Sequence, residues 1–251
     1  MSTTHRRVRL LLLVALALFP LVVVVVRLST PLGFWSAVYL AFLVELLPVL
    51  AVAQLPSVEG EVLPRLPVYL SSAVVILVLG WAALLLGMGS FGVGAMGLEP
   101  VSWPKLLACT AVLLLAAVFL VVLVFIVRRA MGLKEAPLLV ELLPETRAEK
   151  GVFVFLSMAA GFGEELAYRG FLIPGLALLL GGEWTAAVLS SVLFGVLHAY
   201  QGWLGVLRTT ALGLLLAAGF LISGSLWPAI LAHAILDIVA GLIVGESLVA
   251  D

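Results

Sequence analysis

Three short fragments in the C-terminal part of the chain carry the side chains able to do chemistry. They are Gly163-Glu164-Glu165-Leu166-Ala167-Tyr168-Arg169, Phe194-Gly195-Val196-Leu197-His198 and His233-Ala234-Ile235-Leu236-Asp237. Each lies inside or against a stretch apolar enough for a lipid bilayer. A charged group at that depth costs roughly 2.5 to over 10 kcal/mol depending on the scale, so such residues normally face a cavity and serve a function. Glutamates, histidines and an aspartate are the groups that exchange protons, activate water or ligate a metal ion.

Helical spacing divides the work among them. Glu165 and Arg169 stand four residues apart with the acid on the N-terminal side, the better order for an ion pair along one helix. Glu164 projects about 100° away from Glu165, toward the side of Tyr168, and has no obvious partner on its own helix. That is the condition of a carboxylate available as a general acid or base. Phe194 and His198 share one face, as do His233 and Asp237. Polar groups also glue membrane helices together by hydrogen bonding. Acids and imidazoles drawn from three separate segments favour a convergent site.

The elements that must position these residues are membrane helices. Hydrophobic residues make up 64% of the chain and charged residues 11%, where a soluble domain has about a quarter of its residues charged. The expected fold is therefore all-α: an integral, multi-pass membrane protein with about eight transmembrane helices and its catalytic core in the C-terminal four. A bilayer core of about 30 Å needs about 20 apolar helical residues. The candidate spans are 10–26, 34–53, 68–88, 106–127, 151–180, 185–200, 203–222 and 226–244. Residues 1–135 read as an N-terminal membrane domain and 136–251 as the catalytic core. Pro20 and Pro48 read as kinks within spans, and Gly170, Pro174 and Gly175 mark a place where the fifth span could break.

Orientation follows from basic residues. Arg6, Arg7 and Arg9 place the N-terminus in the cytoplasm, and Arg128, Arg129, Lys134, Arg147 and Lys150 gather on the same side if four spans precede them. The first apolar run lacks a small-residue cleavage site, which favours a retained helix over a signal peptide. The connection 128–150 reads equally as an interfacial amphipathic helix or as a solvated linker. Apart from Glu45, the first four spans hold no acid.

Other chemistries leave no trace. A net charge of −1 argues against a nucleic-acid partner, and the lone Cys109 excludes an intrachain disulfide or a cysteine-cluster metal site. No His-Glu-x-x-His zinc motif and no Gly-x-Ser-x-Gly elbow occurs. Ser157, Ser190, Ser191, Ser223 and Ser225 and the glycines read as small packing residues. No internal repeat suggests a two-fold transporter.

Taken in order, Glu164-Glu165-x-x-x-Arg169, Phe194-x-x-x-His198 and His233-x-x-x-Asp237 resemble the CAAX prenyl endopeptidase and bacteriocin-processing family (type II CAAX protease, or Abi), over about residues 140–245. The resemblance implies a glutamate-type intramembrane peptidase with catalytic residues Glu164, His198, His233 and Asp237 and supporting residues Glu165, Arg169 and Phe194. Glu164 and His198 would activate a water, Glu165 and Arg169 would form the supporting ion pair, and His233 with residue 237 would stabilise the oxyanion. The prenyl endopeptidase branch has asparagine where this chain has Asp237. An ionised Asp237 repels an oxyanion, so this residue must be protonated, bind a cation or orient His233 through a ring nitrogen, and orientation of His233 is the favoured expectation.

The reading is an endopeptidase of a prokaryotic cell membrane that cleaves a membrane-associated peptide or protein with water and no cofactor. Zinc is possible but not favoured. Two alternatives stay open: a divalent-cation or proton transporter using the same groups as ligands, and a non-catalytic immunity or scaffold protein. Its partners would be that substrate and the lipid bilayer, and its oligomeric state is unknown.

Overall fold

The computed structural model describes residues 3–58, 60 and 63–244, and among these every regular element is a helix. The N-terminal part comprises α1 (Thr3–Ser29), α2 (Phe34–Ala41), α3 (Leu47–Ala53), α4 (Leu55–Val58), α5 (Arg65–Ser90), α6 (Gly92–Ala95) and α7 (Trp103–Ala130). A short α8 (Pro137–Glu141) leads to α9 (Arg147–Glu165), α10 (Ile173–Leu180), α11 (Glu183–Leu197), α12 (Gly202–Ser223) and α13 (Trp227–Val239). Leu16, Val112, Leu115 and Phe119 on α1 and α7 are exposed, which suits a lipid-facing surface rather than a watery one.

The expected count of eight spans is not reached among the described residues. Five stretches are long and apolar enough to cross a membrane: Arg6–Ser29, Phe34–Val58, Arg65–Ser90, Trp103–Ala130 and Ala199–Ser223. The reason lies in length and charge. With 15 residues, α11 rises only about 22 Å at about 1.5 Å per residue. The run from α9 to α10 carries Glu164, Glu165 and Arg169 where a plain span would be apolar.

The prolines do not break their helices. Pro20 lies inside the continuous α1. Pro48 and Pro174 each fall at the start of a helix that continues directly from a π-helical turn, Phe42–Leu46 before α3 and Leu166–Leu172 before α10. A proline has no N–H to give and its ring clashes with the carbonyl four residues earlier, here that of Val44 or Gly170, which sits within the π turn. Widening the turn by one residue relieves that clash while the helix carries on. The anticipated break after the acidic motif is therefore a bulge. Gly181, at φ +73°, then takes the left-handed conformation that ends α10.

Local chemistry starts α9. Thr146 Oγ1 accepts from the Glu149 backbone N–H at 3.2 Å, and Glu149 Oε2 accepts from the N–H groups of Thr146 and Glu145 at 2.8 and 2.9 Å. This reciprocal capping box satisfies donors that a helix N-terminus otherwise leaves bare. The connection before it is neither a long amphipathic helix nor a free linker. Only α8 is helical, and Arg65 at the start of α5 donates to the Glu141 carbonyl and to Glu145 Oε1, both at 2.7 Å. Tyr69 Oη donates to the Leu142 carbonyl at 2.6 Å. The start of α5 and the connection into α9 thus share one end of the bundle.

Close backbone contacts hold the core helices together. A β-carbon on Gly163 would lie 2.5 Å from the carbonyl oxygen of Ile76, and one on Gly80 would lie 2.5 Å from the Gly163 α-carbon. Only glycine lets α5 and α9 approach so nearly. On the opposite side of α9, a β-carbon on Gly161 would meet the Ile230 carbonyl oxygen at 2.8 Å, so α13 is equally tight. In the same way Gly195 brings α11 against α12, where its β-carbon would lie 2.8 Å from the Val206 carbonyl oxygen. Small residues at membrane-helix contacts act in this way.

Candidate active site

The glycine contacts place the acids of α9 opposite His233 of α13. Glu165 and Arg169, read from the sequence as a helical ion pair, meet at 2.6 Å between Oε1 and Nη1, with side chains 0% and 1% exposed. Two further contacts complete the seat of the guanidinium. Its Nη2 donates to the Gly213 carbonyl of α12 at 3.0 Å, and its Cζ lies 4.6 Å over the centre of the Phe194 ring. A side chain at position 213 would press on both, since its β-carbon would lie 3.1 Å from Nη2 and 3.2 Å from the Phe194 ring.

Glu165 does more than the sequence reading gave it. Its Oε1 also lies 2.8 Å from His233 Nδ1. A carboxylate paired with arginine can only accept, so Nδ1 carries the proton and donates. The hydrogen bond that orients His233 at Nδ1 thus comes from Glu165. Asp237 Oδ2 stands 3.6 Å from His233 Nε2, beyond hydrogen-bond range, and its side chain is 41% exposed. Glu164 Oε2 lies 3.7 Å from the same Nε2. The outward nitrogen of His233 therefore faces two acids with neither bonded to it.

His198 ends α11 and is held through its own helix. Its Nδ1 lies 2.9 Å from the Phe194 carbonyl oxygen. Because a carbonyl accepts only, Nδ1 again donates, and the neutral ring presents a bare lone pair at Nε2. The Phe194 ring joins the two imidazoles, 4.7 Å from His198 and 6.0 Å edge-on to His233 between centroids. His198 is close enough to Asp237, His233 and Arg169 to feel their charges. All seven residues singled out from the sequence thus belong to one cluster.

Other members of the cluster gave no signal in the sequence. The carbonyl of Tyr168 lies inside the π turn and accepts from Ser190 Oγ of α11 at 2.8 Å, so Ser190 closes the widened turn rather than merely filling space. Tyr200 sits beside His198, with ring centres 6.0 Å apart. Gly213 could not be told from an ordinary packing glycine because its partner Arg169 is 44 residues away. Elsewhere in the membrane, Glu45 lies in the π turn Phe42–Leu46 with Oε2 buried and unbonded. Among the described residues no three His, Cys, Asp or Glu side chains are disposed to hold a metal ion.

Residues 148–239 match the family described as Type II CAAX prenyl endopeptidase Rce1-like. The matched residues run from the first turn of α9 to the end of α13, so the likeness to a membrane protease family lies in the part of the chain that carries the site. No curated protein and no solved structure matches the chain.

Proposed function

We propose that the protein is an intramembrane endopeptidase in which Glu164 and His198 activate a water for attack on a peptide bond. The observation that carries this reading is the pair of differently prepared imidazoles beside an unbonded carboxylate. His198 has a proton-accepting nitrogen at Nε2, and His233, anchored by Glu165, turns its other nitrogen to within 3.7 Å of Glu164 without a hydrogen bond. The family match over residues 148–239 adds the reaction class.

In the proposed reaction Glu164, assisted by His198, takes a proton from water as its oxygen bonds to the carbonyl carbon of the substrate. The carbonyl electron pair moves onto its oxygen. When His233 carries a second proton, its Nε2–H donates to that oxyanion, and the charge of the imidazolium is balanced by Glu165. Collapse breaks the C–N bond and the proton held by Glu164 passes to the leaving amine. No covalent enzyme intermediate forms. Asp237, at the open edge of the site, biases His233 by its charge without bonding to it.

The substrate would be a membrane-associated peptide or protein, and Arg6, Arg7 and Arg9 favour a cytoplasmic N-terminus. The test is to incubate the protein in nanodiscs with membrane peptides and read new termini by mass spectrometry. Glu164→Gln should abolish cleavage while the protein stays folded, a loss of about 10²–10⁴ for a general base. Near-normal turnover of that variant would reassign the base. The mechanism uses no metal, so chelation should leave proteolysis intact. One tightly bound zinc per chain, with chelator-sensitive and zinc-restored function, would favour ion carriage or metal catalysis instead.

A further inference from the structure

The fragment after His198 contains a directed chain of hydrogen bonds. Glu135, in the connection between α7 and α8, has a side chain only 4% exposed, and its Oε1 lies 3.0 Å from Arg208 Nη1 of α12. Arg208 Nη2 donates to Gln201 Oε1 at 2.9 Å. Arginine has no acceptor atom, so this contact fixes which end of the Gln201 amide faces it. The other end, Nε2, then donates to Tyr200 Oη at 3.0 Å. Each step leaves the next group with its donor pointing onward. The last donor is the phenolic proton of Tyr200, and no group among the described residues accepts it.

The tyrosine ring borders the site. Tyr200 lies in the 3₁₀ turn Ala199–Gln201 that follows His198, with its ring 6.0 Å from the imidazole and tilted 33° to it. Gln201, which fixes the phenol, is buried. A donor held in place before substrate arrives is what a developing oxyanion requires, because no reorganisation is then needed as charge forms.

We propose that Tyr200 donates a hydrogen bond to the substrate carbonyl oxygen as it becomes an oxyanion, and that Glu135, Arg208 and Gln201 hold its hydroxyl for that purpose. The proposal rests on the peptidase reading above. Glu135, Arg208 and Gln201 are positioning residues, since they act only through Tyr200. Their arrangement also assigns a use to a buried charge cluster outside the three motifs.

The experiment compares kcat and KM for one peptide, identified by its new termini, across wild type, Tyr200→Phe, Gln201→Leu and the double variant, all in nanodiscs. Tyr200→Phe should lower kcat about hundred- to thousandfold and leave KM within about twofold, as for loss of an oxyanion donor. Gln201→Leu keeps the tyrosine and should lower kcat by less. The double variant should match Tyr200→Phe alone, because Gln201 has no effect once the hydroxyl is gone. Cleavage that depends on Glu164 but survives Tyr200→Phe within threefold overturns the donor role and leaves the peptidase reading standing. Additive losses in the double variant overturn the relay through Gln201. A wild type that cleaves no peptide ends both proposals.

Discussion

Two of the arginine–glutamate clusters among the described residues are built in opposite ways. Glu165 and Arg169 belong to one helical stretch, are closed to the surroundings and share an oxygen with His233. Glu135 reaches Arg208 across 73 residues and also lies 3.8 Å from Arg128, with arginine side chains 16% and 7% exposed. The local pair cannot be relaxed by water, so the protein depends on its geometry. The distant pair sits at the end of the bundle shared with the α5 start and ties loop to helix. Burial, not the presence of an ion pair, sets how much each one matters.

Breaking the inner cluster should have the largest effect. Glu165→Gln keeps an oxygen that can accept but removes the negative charge that balances the buried Arg169, a loss of about 3–5 kcal/mol for an uncompensated buried charge. A lower thermal midpoint in detergent, together with lost activity, is the expected result. Replacing both partners at once, Glu165→Leu with Arg169→Met, sharpens the point. Removing the whole pair should restore most of the stability but not the activity, because His233 has lost the acceptor that orients it. If the double variant cleaves normally, the pair serves the fold alone.

The outer cluster should respond less. Glu135→Gln leaves Arg208 with a side chain 16% exposed and its bond to Gln201 in place, so the loss of stability should be smaller than for Glu165→Gln. A thermal midpoint that drops as far as for Glu165→Gln would erase the distinction drawn between the clusters. Smallest of all should be Asp237→Asn. The carboxylate makes no hydrogen bond to His233 and is substantially exposed, so turnover should stay within about threefold of wild type. A complete loss would show that the charge at position 237 is itself required.

The same contrast explains what was readable in the sequence. Glu165 and Arg169 could be paired from their spacing because the partners lie one helical turn apart. The second bond of Glu165, to His233, spans 68 residues and depends on Gly161 letting α13 approach, which no local pattern records. Assigning the orientation of His233 to Asp237 followed from the same preference for i,i+4 partners, and it left the Glu165 bond unseen. Glu135 was passed over because it stands in a polar connection where charge is expected to be solvated. The helical fold was legible from composition and apolar runs. The number of spans was not, since α11 is too short and the α9–α10 stretch too charged to qualify.

The π turn Leu166–Leu172 has a consequence for how this site can change over time. It holds one residue more than an α-helical path would need, placed between the acids and the proline-started α10. Loss of a single codon there would let the backbone relax to ordinary α-helix, but α9 and α10 would then be turned relative to each other by about 100°. Glu164 and Glu165 could keep facing α13 only if Leu176 and its neighbours left their packing. Substitutions at this turn can be sampled one at a time, whereas a deletion must be matched elsewhere in the same step. The turn thus fixes the reading frame of the helix, and lineages that carry the acids should differ here by exchange of residues and not by their number.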